Sequence, residues 1–215
     1  DVQAELKAGA DIFAFSEDGE TPLHYAAQRS NPTSINILIK AGAEVNAPNE
    51  GGMLPLHYGG YGGLKAIETL LRAGADIKAR DWSGCTILHS IAERETAIYA
   101  LKLGADLSAK CNDGSTPLHF ATRYFSDKGA GTIQVLLNAG ADLEARSNGR
   151  TPLYSAIKCK RPKCSGVVEV LIANGAEVEV RNEAGTTPIH FASILGKVDS
   201  IKSLIAAGAN IMAKD

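Results

Sequence analysis

Five histidines carry the clearest chemical potential in this 215-residue chain. Imidazole near neutral pH can bind a metal, relay a proton or activate a nucleophile. All five sit in one kind of string: Thr21-Pro22-Leu23-His24, Leu54-Pro55-Leu56-His57, Thr86-Ile87-Leu88-His89, Thr116-Pro117-Leu118-His119 and Thr187-Pro188-Ile189-His190. A sixth copy, Thr151-Pro152-Leu153-Tyr154, carries tyrosine in the histidine slot. Chemistry needs different residue types converging on one point. Here one residue type recurs instead, at intervals of 33, 32, 30, 35 and 36 residues when Tyr154 is included. Zinc holds nitrogens at about 2.0–2.1 Å, so its ligands lie within about 4 Å of one another. Stacked helical units sit roughly 8–10 Å apart, so histidines one unit apart cannot share an ion. The expectation is that His24, His57, His89, His119 and His190 are structural, with no catalytic group, no metal and no cofactor.

Positioning elements follow from the same period. Gly-Ala pairs begin at Gly9, Gly42, Gly74, Gly104, Gly140, Gly175 and Gly208, in phase with the histidine strings. Self-similarity at this period means stacked supersecondary units rather than one or two globular cores. Thr followed by Pro starts a short helix, the hydroxyl accepting an orphan N–H and Pro taking the first helical position. The run Pro22 to Arg29 is the first such helix. A second helix shows apolar residues at helical spacing: Ile35, Leu38 and Ile39; Ile67, Leu70 and Leu71; Ile201, Leu204 and Ile205. The following glycine ends it in the left-handed region. About ten residues rich in Asp, Asn and Gly lead to the next unit.

The strings Asp-Gly-x-Thr-Pro-Leu-His-x-Ala and Leu-Leu-x-x-Gly-Ala-Asp, clearest at Asp113 to Ala121 and Leu136 to Asp142, make the chain resemble the ankyrin-repeat family. The resemblance covers essentially the whole chain. It implies an all-α solenoid of helix-turn-helix units with β-hairpin-like loops: six helix-pair repeats plus a partial N-terminal repeat. The expected division is a partial repeat over 1–15 and repeats near 16–48, 49–80, 81–110, 111–146, 147–181 and 182–215. In the family the histidine hydrogen-bonds to backbone and to the Thr hydroxyl, tying the loop to its helix. Tyr154 keeps a hydroxyl that can substitute in part.

Composition narrows the function classes. A net charge of −2 gives no global signal for nucleic acid or anionic membrane. No run of 18 apolar residues exists and the first 20 residues hold no apolar leader core, which reads as an intracellular protein, cytoplasmic or nuclear. Cys85, Cys111, Cys159 and Cys164 fit no zinc spacing and read as reduced thiols in such a compartment, while Cys159 and Cys164 are close enough in sequence to bridge under oxidation. The chain opens inside a second helix, Val2 to Lys7, and ends where another loop begins, with no polar capping unit. It therefore reads as a segment of a longer protein.

Departures from the repeat mark individuality. The third unit has only 15 residues from His89 to Gly104, against 18 in the first and sixth. With Ala97, Ala100 and Leu101 on its second helix, it is expected to be thin and weakly packed, with a local change of curvature. The fourth and fifth units run to 21 residues over that interval. Their extra residues fall around Ser126 to Thr132 and Lys158 to Gly166. In the second unit, Tyr58-Gly-Gly-Tyr61-Gly-Gly lacks the Gly-Lys-Ser/Thr ending of a phosphate loop. It reads instead as a soft first helix, each Gly costing about 1 kcal/mol relative to Ala. Arg146, Arg150, Lys158, Lys160, Arg161 and Lys163 form a basic stretch with no acid among them. This is either a docking patch for an acidic partner or a solvated loop, and its two ends are expected on opposite edges.

The family binds partners with its concave face, built of hairpin tips and first-helix ends. Carried over slot by slot, the tips offer Glu17, Asp18, Glu20, Met53, Trp82, Asp113 and Arg150. The helix ends offer Gln28, Arg29, Tyr61, Arg94, Arg123, Tyr124 and Lys158. Trp82, the only tryptophan, is the expected anchor, since Trp, Tyr and Arg dominate hot spots. The alternative for Trp82 is a ring folded back on the neighbouring tip. The functional reading is a monomeric, non-catalytic module binding another protein, with no nucleic acid and no membrane insertion. The alternative is a targeting or regulatory arm of a larger enzyme, channel or effector.

Overall fold

A computed structural model describes residues 11–124, 130–159 and 165–212. Among these residues there are eleven α-helices, one 3-10 helix and no strand. The expected all-helical ladder of short paired helices is therefore present. The Val2 to Lys7 helix, Gly9, Cys164, Lys160, Arg161 and Lys163 lie outside the described residues. Contacts divide the chain into two compact units, one ending at Ala109 and one beginning at Lys110.

The first unit holds three helix pairs. Helices α1 (Pro22–Gln28) and α2 (Pro32–Lys40) form the first. The second pairs α3 (Pro55–Gly62) with α4 (Leu64–Arg72). In the third, a single 3-10 turn (Ile87–His89) precedes α5 (Arg94–Lys102). The second unit contains α6 (Pro117–Tyr124) with α7 (Ala130–Asn138), α8 (Pro152–Lys158) with α9 (Ser165–Ala173), and α10 (Pro188–Ile194) with α11 (Val198–Ala206).

One register runs through both units. The Leu before each His or Tyr (Leu23, Leu56, Leu88, Leu118, Leu153) is fully buried. So is an apolar pair three residues apart on the second helix: Ile35 and Leu38, Ile67 and Leu70, Ile133 and Leu136, Val168 and Leu171. That spacing puts both members on one face of a helix, which is the face that meets its neighbours. Ile205 falls outside the stripe and is 50% exposed.

Every second helix ends alike. Gly42, Gly74, Gly104, Gly140, Gly175 and Gly208 all have positive φ, between 87° and 104°. The alanine after each glycine donates its N–H back five residues, as Ala43 does to Leu38 O at 3.0 Å and Ala209 to Leu204 O at 3.0 Å. This is the Schellman closure, in which a left-handed residue lets the chain satisfy the last carbonyls.

The loops between pairs are hairpin-like. Each is closed by an N–H to carbonyl bond across the tip: Asn49 to Met53, Asp81 to Cys85, Cys111 to Ser115, Ser147 to Arg150 and Asn182 to Thr186, at 2.9–3.1 Å. Asn49 Oδ1 and Asp81 Oδ1 accept backbone N–H groups inside their loops, which is the local competition with helix that Asx residues offer.

The third repeat is thin, as its length requires, because a single 3-10 turn replaces a first helix. It is not weakly packed. Ile87, Leu88, Ile91, Ala97 and Ala100 are each no more than 2% exposed. Small side chains let α5 approach closely instead of leaving voids. In the fourth and fifth repeats the second helices begin at Ala130 and Ser165, so Thr132 and Gly166 are helical and not inserted loop. The remainder of those insertions lies outside the described residues.

The cysteines correct the sequence expectation of reduced thiols. Cys85, Cys111 and Cys159 are all disulfide-bonded. Each is buried, at 9%, 7% and 2% exposure. The expectation came from the lack of an apolar run in the first 20 residues of this sequence and from sequence spacing. Spacing cannot show which sulfurs the folded loops bring together.

Candidate partner-binding surface

The histidine slot comes first, because it decides which groups are left for binding. His24 Nδ1 accepts the Thr21 backbone N–H at 3.0 Å and lies 2.9 Å from Thr21 Oγ1. With Nδ1 an acceptor, Nε2 carries the proton and donates to Met53 O, in the next hairpin, at 2.9 Å. His119 repeats this, with Thr116 N at 3.2 Å, Thr116 Oγ1 at 2.9 Å and Arg150 O at 3.1 Å. The imidazole thus ties its own turn to the following repeat as well as loop to helix. Burial holds His24, His57 and His119 below the ordinary histidine pKa, since an apolar surround disfavours imidazolium.

The Thr hydroxyl does not accept an orphan helix N–H, as the Thr-Pro reading had it. It pairs with the imidazole at Thr21, Thr86, Thr116 and Thr187. His57 shows what is lost without it. Leu54 supplies only its backbone N–H to His57 Nδ1, at 2.9 Å, with no hydroxyl beside it. Tyr154 substitutes in part, as expected. Its hydroxyl donates toward Thr186 O (2.5 Å) and Val180 O (2.7 Å), the cross-repeat half of the tie. The local half is missing, and Thr151 Oγ1 is buried without a partner. Burial pushes the Tyr154 phenol up to about 12.

In the first unit the sequence-derived binding residues divide. Glu17, Asp18, Gln28 and Arg29 are exposed. Glu20 is not available in the same way. Its carboxylate accepts from Tyr25 at 2.5 Å, from Ser16 at 3.0 Å and, across the loop, from Tyr58. Those hydroxyls, Tyr25 foremost, hold Glu20 below the usual carboxylate range. Met53 is half-buried and contributes its carbonyl to His24.

Trp82 lies on a tip and remains 68% exposed. Its backbone N–H bonds Gly51 O at 3.0 Å, and a Cβ added at Gly52 would fall 2.3 Å from Trp82 Cδ1. One edge of the indole leans on the neighbouring tip, and most of the ring faces solvent. Tyr61 is 48% exposed at the end of α3. Arg94 is misplaced in the sequence reading. With the first helix of its repeat cut to a 3-10 turn, Arg94 opens α5, where it lies 3.7 Å from the equally exposed Glu95.

The glycines of α3 have a role the sequence did not reveal. A Cβ on Gly60 would meet Ser90 Oγ at 2.6 Å, and one on Gly62 would meet Ala27 O at 2.0 Å. Absent side chains allow adjacent repeats to close up here.

The second unit brings four sequence-derived residues together. Asp113, Arg123, Arg150 and Lys158 line one groove of about 180 Å³, with Phe120 and Ser147 among its other walls. Arg150 and Lys158 share it because the groove runs from the tip along α8 to that helix's end. Arg150 is steadied by Phe191, its guanidinium 5.3 Å from the ring centroid. Asp113 accepts from Ser115 N at 2.8 Å and Ser115 Oγ at 2.9 Å, and Ser115 in turn meets Ser147 Oγ at 2.7 Å. These bonds outweigh burial and hold Asp113 below the usual range. Arg146 turns away from the groove to the carbonyls of Gly149 and Arg181. The Tyr124 side chain lies outside the described residues. A larger apolar cavity, about 590 Å³, borders Ile12, Phe15 and Leu38 in the first unit. No side-chain chemistry there assigns it an occupant.

Two helices and a hairpin per repeat, left-handed glycine stops and histidine ties define the class of protein. The family model for ankyrin repeats matches three times, over residues 2–81, 61–147 and 126–215, and the chain belongs to that family. Ankyrin-repeat domains generally mediate protein–protein interaction and are typically non-enzymatic. The human ASB11 ankyrin repeat domain aligns with a TM-score of 0.77 at 20% identity, over 97% of this chain and 92% of that one, which speaks to fold alone. The ankyrin repeat domain of Bcl-3, a member of the IkappaB protein family, gives 0.66 at 31% identity over 93% and 91%. The chicken (Gallus gallus) nuclear factor NF-kappa-B p105 subunit is 33% identical over 66% of this chain. Delta-latroinsectotoxin-Lt1a of Latrodectus tredecimguttatus is 35% identical over 40% of it. The chain spans only 15% and 7% of those two proteins' lengths. Among the described residues no helix is long and apolar enough to cross a membrane, and no group of three or more His, Cys, Asp or Glu could hold a metal ion.

Proposed function

We propose that this chain is a non-catalytic module that binds another protein through its hairpin tips and first-helix ends. One observation carries the reading. The recurrent polar groups, the imidazoles and Thr hydroxyls, are turned inward as ties between repeats, while the variable residues at tips and helix ends face solvent. Trp82 and Tyr61 are such residues in the first unit, and Arg123, Arg150 and Lys158 in the second. A surface that varies on a constant scaffold suits recognition rather than catalysis.

The module acts as a monomer and as part of a longer protein, in which it serves as adaptor, targeting arm or regulatory arm. Nucleic acid and membrane insertion are not part of the proposal. Intracellular placement, cytoplasmic or nuclear, belongs to it. The disulfides at Cys85, Cys111 and Cys159 count against that placement, because reducing compartments keep such thiols reduced.

The test is affinity purification from native extract with the intact chain and with a Tyr61→Ala, Trp82→Ala, Arg123→Ala variant. Loss of exposed aromatic and Arg anchors is expected to cut partner capture about tenfold or more. The far-UV circular dichroism of the variant is expected to stay helical. Undiminished capture would place the binding face elsewhere.

A further inference from the structure

The groove of the second unit has a chemistry of its own. Arg150 and Lys158, with Arg123 beside them, line it against one acid, Asp113. Asp113 is already bonded to Ser115, so the inward-facing excess is positive. Charge over the whole unit agrees: residues 110–215 contain thirteen Lys and Arg against ten Asp and Glu, whereas residues 1–109 contain nine against fourteen.

From this we infer that the groove docks an extended acidic segment of another protein, its Asp or Glu side chains pairing with Arg150 and Lys158. This rests on the tip-and-helix-end reading above and names the chemistry of its partner. Arg150 is pre-positioned by its ring contact with Phe191, which lowers the entropy lost when it grips a carboxylate. Arg and carboxylate match as planar, bidentate partners. The groove is small, about 180 Å³, enough for a few side chains of a peptide. Phe120 offers an apolar wall, and Ser147 a hydroxyl. A nucleic-acid backbone is a poorer fit, because thirteen Lys and Arg against ten Asp and Glu leave the unit too small a positive excess to track a run of phosphates. A flat lipid surface cannot enter the groove at all.

The probe is a fluorescein-labelled oligoglutamate of about eight residues, long enough to run the groove, read by fluorescence anisotropy on the full chain at low salt. A labelled oligothymidylate of equal charge is the polyanion control. The intact chain is expected to bind oligoglutamate, with binding weakening as salt screens the charges. An Arg150→Gln, Lys158→Gln variant is expected to bind about tenfold more weakly. Arg150→Gln keeps the backbone carbonyl that receives His119, and unchanged circular dichroism confirms the fold. Oligothymidylate is expected to bind at least about tenfold more weakly than oligoglutamate. Equal oligoglutamate affinity in the variant, or oligothymidylate binding as tightly, would overturn the inference. If oligoglutamate fails to bind while capture still depends on Tyr61, Trp82 and Arg123, the acidic segment is wrong and the binding face stands.

Discussion

Replacing His24 with Ala is expected to destabilise the chain by about 3 kcal/mol, a drop in Tm of roughly 6–12 °C for a chain of this size. The imidazole leaves three groups behind: the Thr21 N–H, the Thr21 hydroxyl and Met53 O. All three sit where His24 is 0% exposed, so water replaces the ring poorly. Each orphaned group costs about 1–3 kcal/mol, and the cavity adds to the loss. His57→Ala is expected to cost less, about 1–2 kcal/mol, because Leu54 has no hydroxyl to be orphaned. Thermal melts followed by circular dichroism give the order. Equal losses at the two sites would mean that the Thr21 hydroxyl bond contributes nothing. Because repeats contact only their neighbours, faster hydrogen exchange is expected around the first two repeats and not in the second unit.

Gly62→Ala is expected to be the other large effect, and its sign opposes helix propensity. Ala in place of Gly gains about 1 kcal/mol inside a helix. At Gly62 the added methyl would lie 2.0 Å from Ala27 O and 3.1 Å from Gln28 O, both backbone atoms of the preceding repeat. Backbone cannot swing aside as a flexible side chain can, so overpacking dominates and the net loss is about 2–3 kcal/mol. Gly166→Ala is the matched control, also helical but with nothing within 4 Å of the new methyl. There the propensity term acts alone and stability is expected to rise by up to about 1 kcal/mol. A denaturant titration of the two variants separates them. Stabilisation by both would show that the repeats can move apart at Gly62.

The period and the punctuation were readable because each is a local property. Thr-Pro fixes where a helix begins, and glycine in the left-handed region fixes where the next one ends; both appear where the strings place them. The buried stripe was equally readable at Ile35 and Leu38 or Ile67 and Leu70, since helical spacing alone puts such pairs on one face. The failures are all relations between distant residues. Nothing near Glu20 signals that Tyr58, 38 residues on, donates to it. Nothing near Gly62 signals the carbonyl of Ala27. The disulfides depend on which loops the fold brings together.

Arg94 is a different case. Fifteen residues between His89 and Gly104 leave no room for a full first helix, and Ile87 stands where Pro opens the others. That shortage already implied that Arg94 would fall at the start of the second helix. The groove lay between these extremes. Its members Arg123, Arg150 and Lys158 were each named from their slots, but their meeting needed the stacking of two repeats.

The most direct test of the account is nitrogen-15 NMR titration of the imidazoles, resolving which ring nitrogen carries the proton. Inward-facing ties require neutral rings at pH 7, protonated on Nε2 and bare on Nδ1, in His24 and His119. They also require protonation to begin below the ordinary histidine range, about pH 6.5. A proton on Nδ1, or a ring that titrates as a solvent-exposed imidazole does, would leave those side chains available for chemistry and contradict the assignment of this repeat array to binding alone.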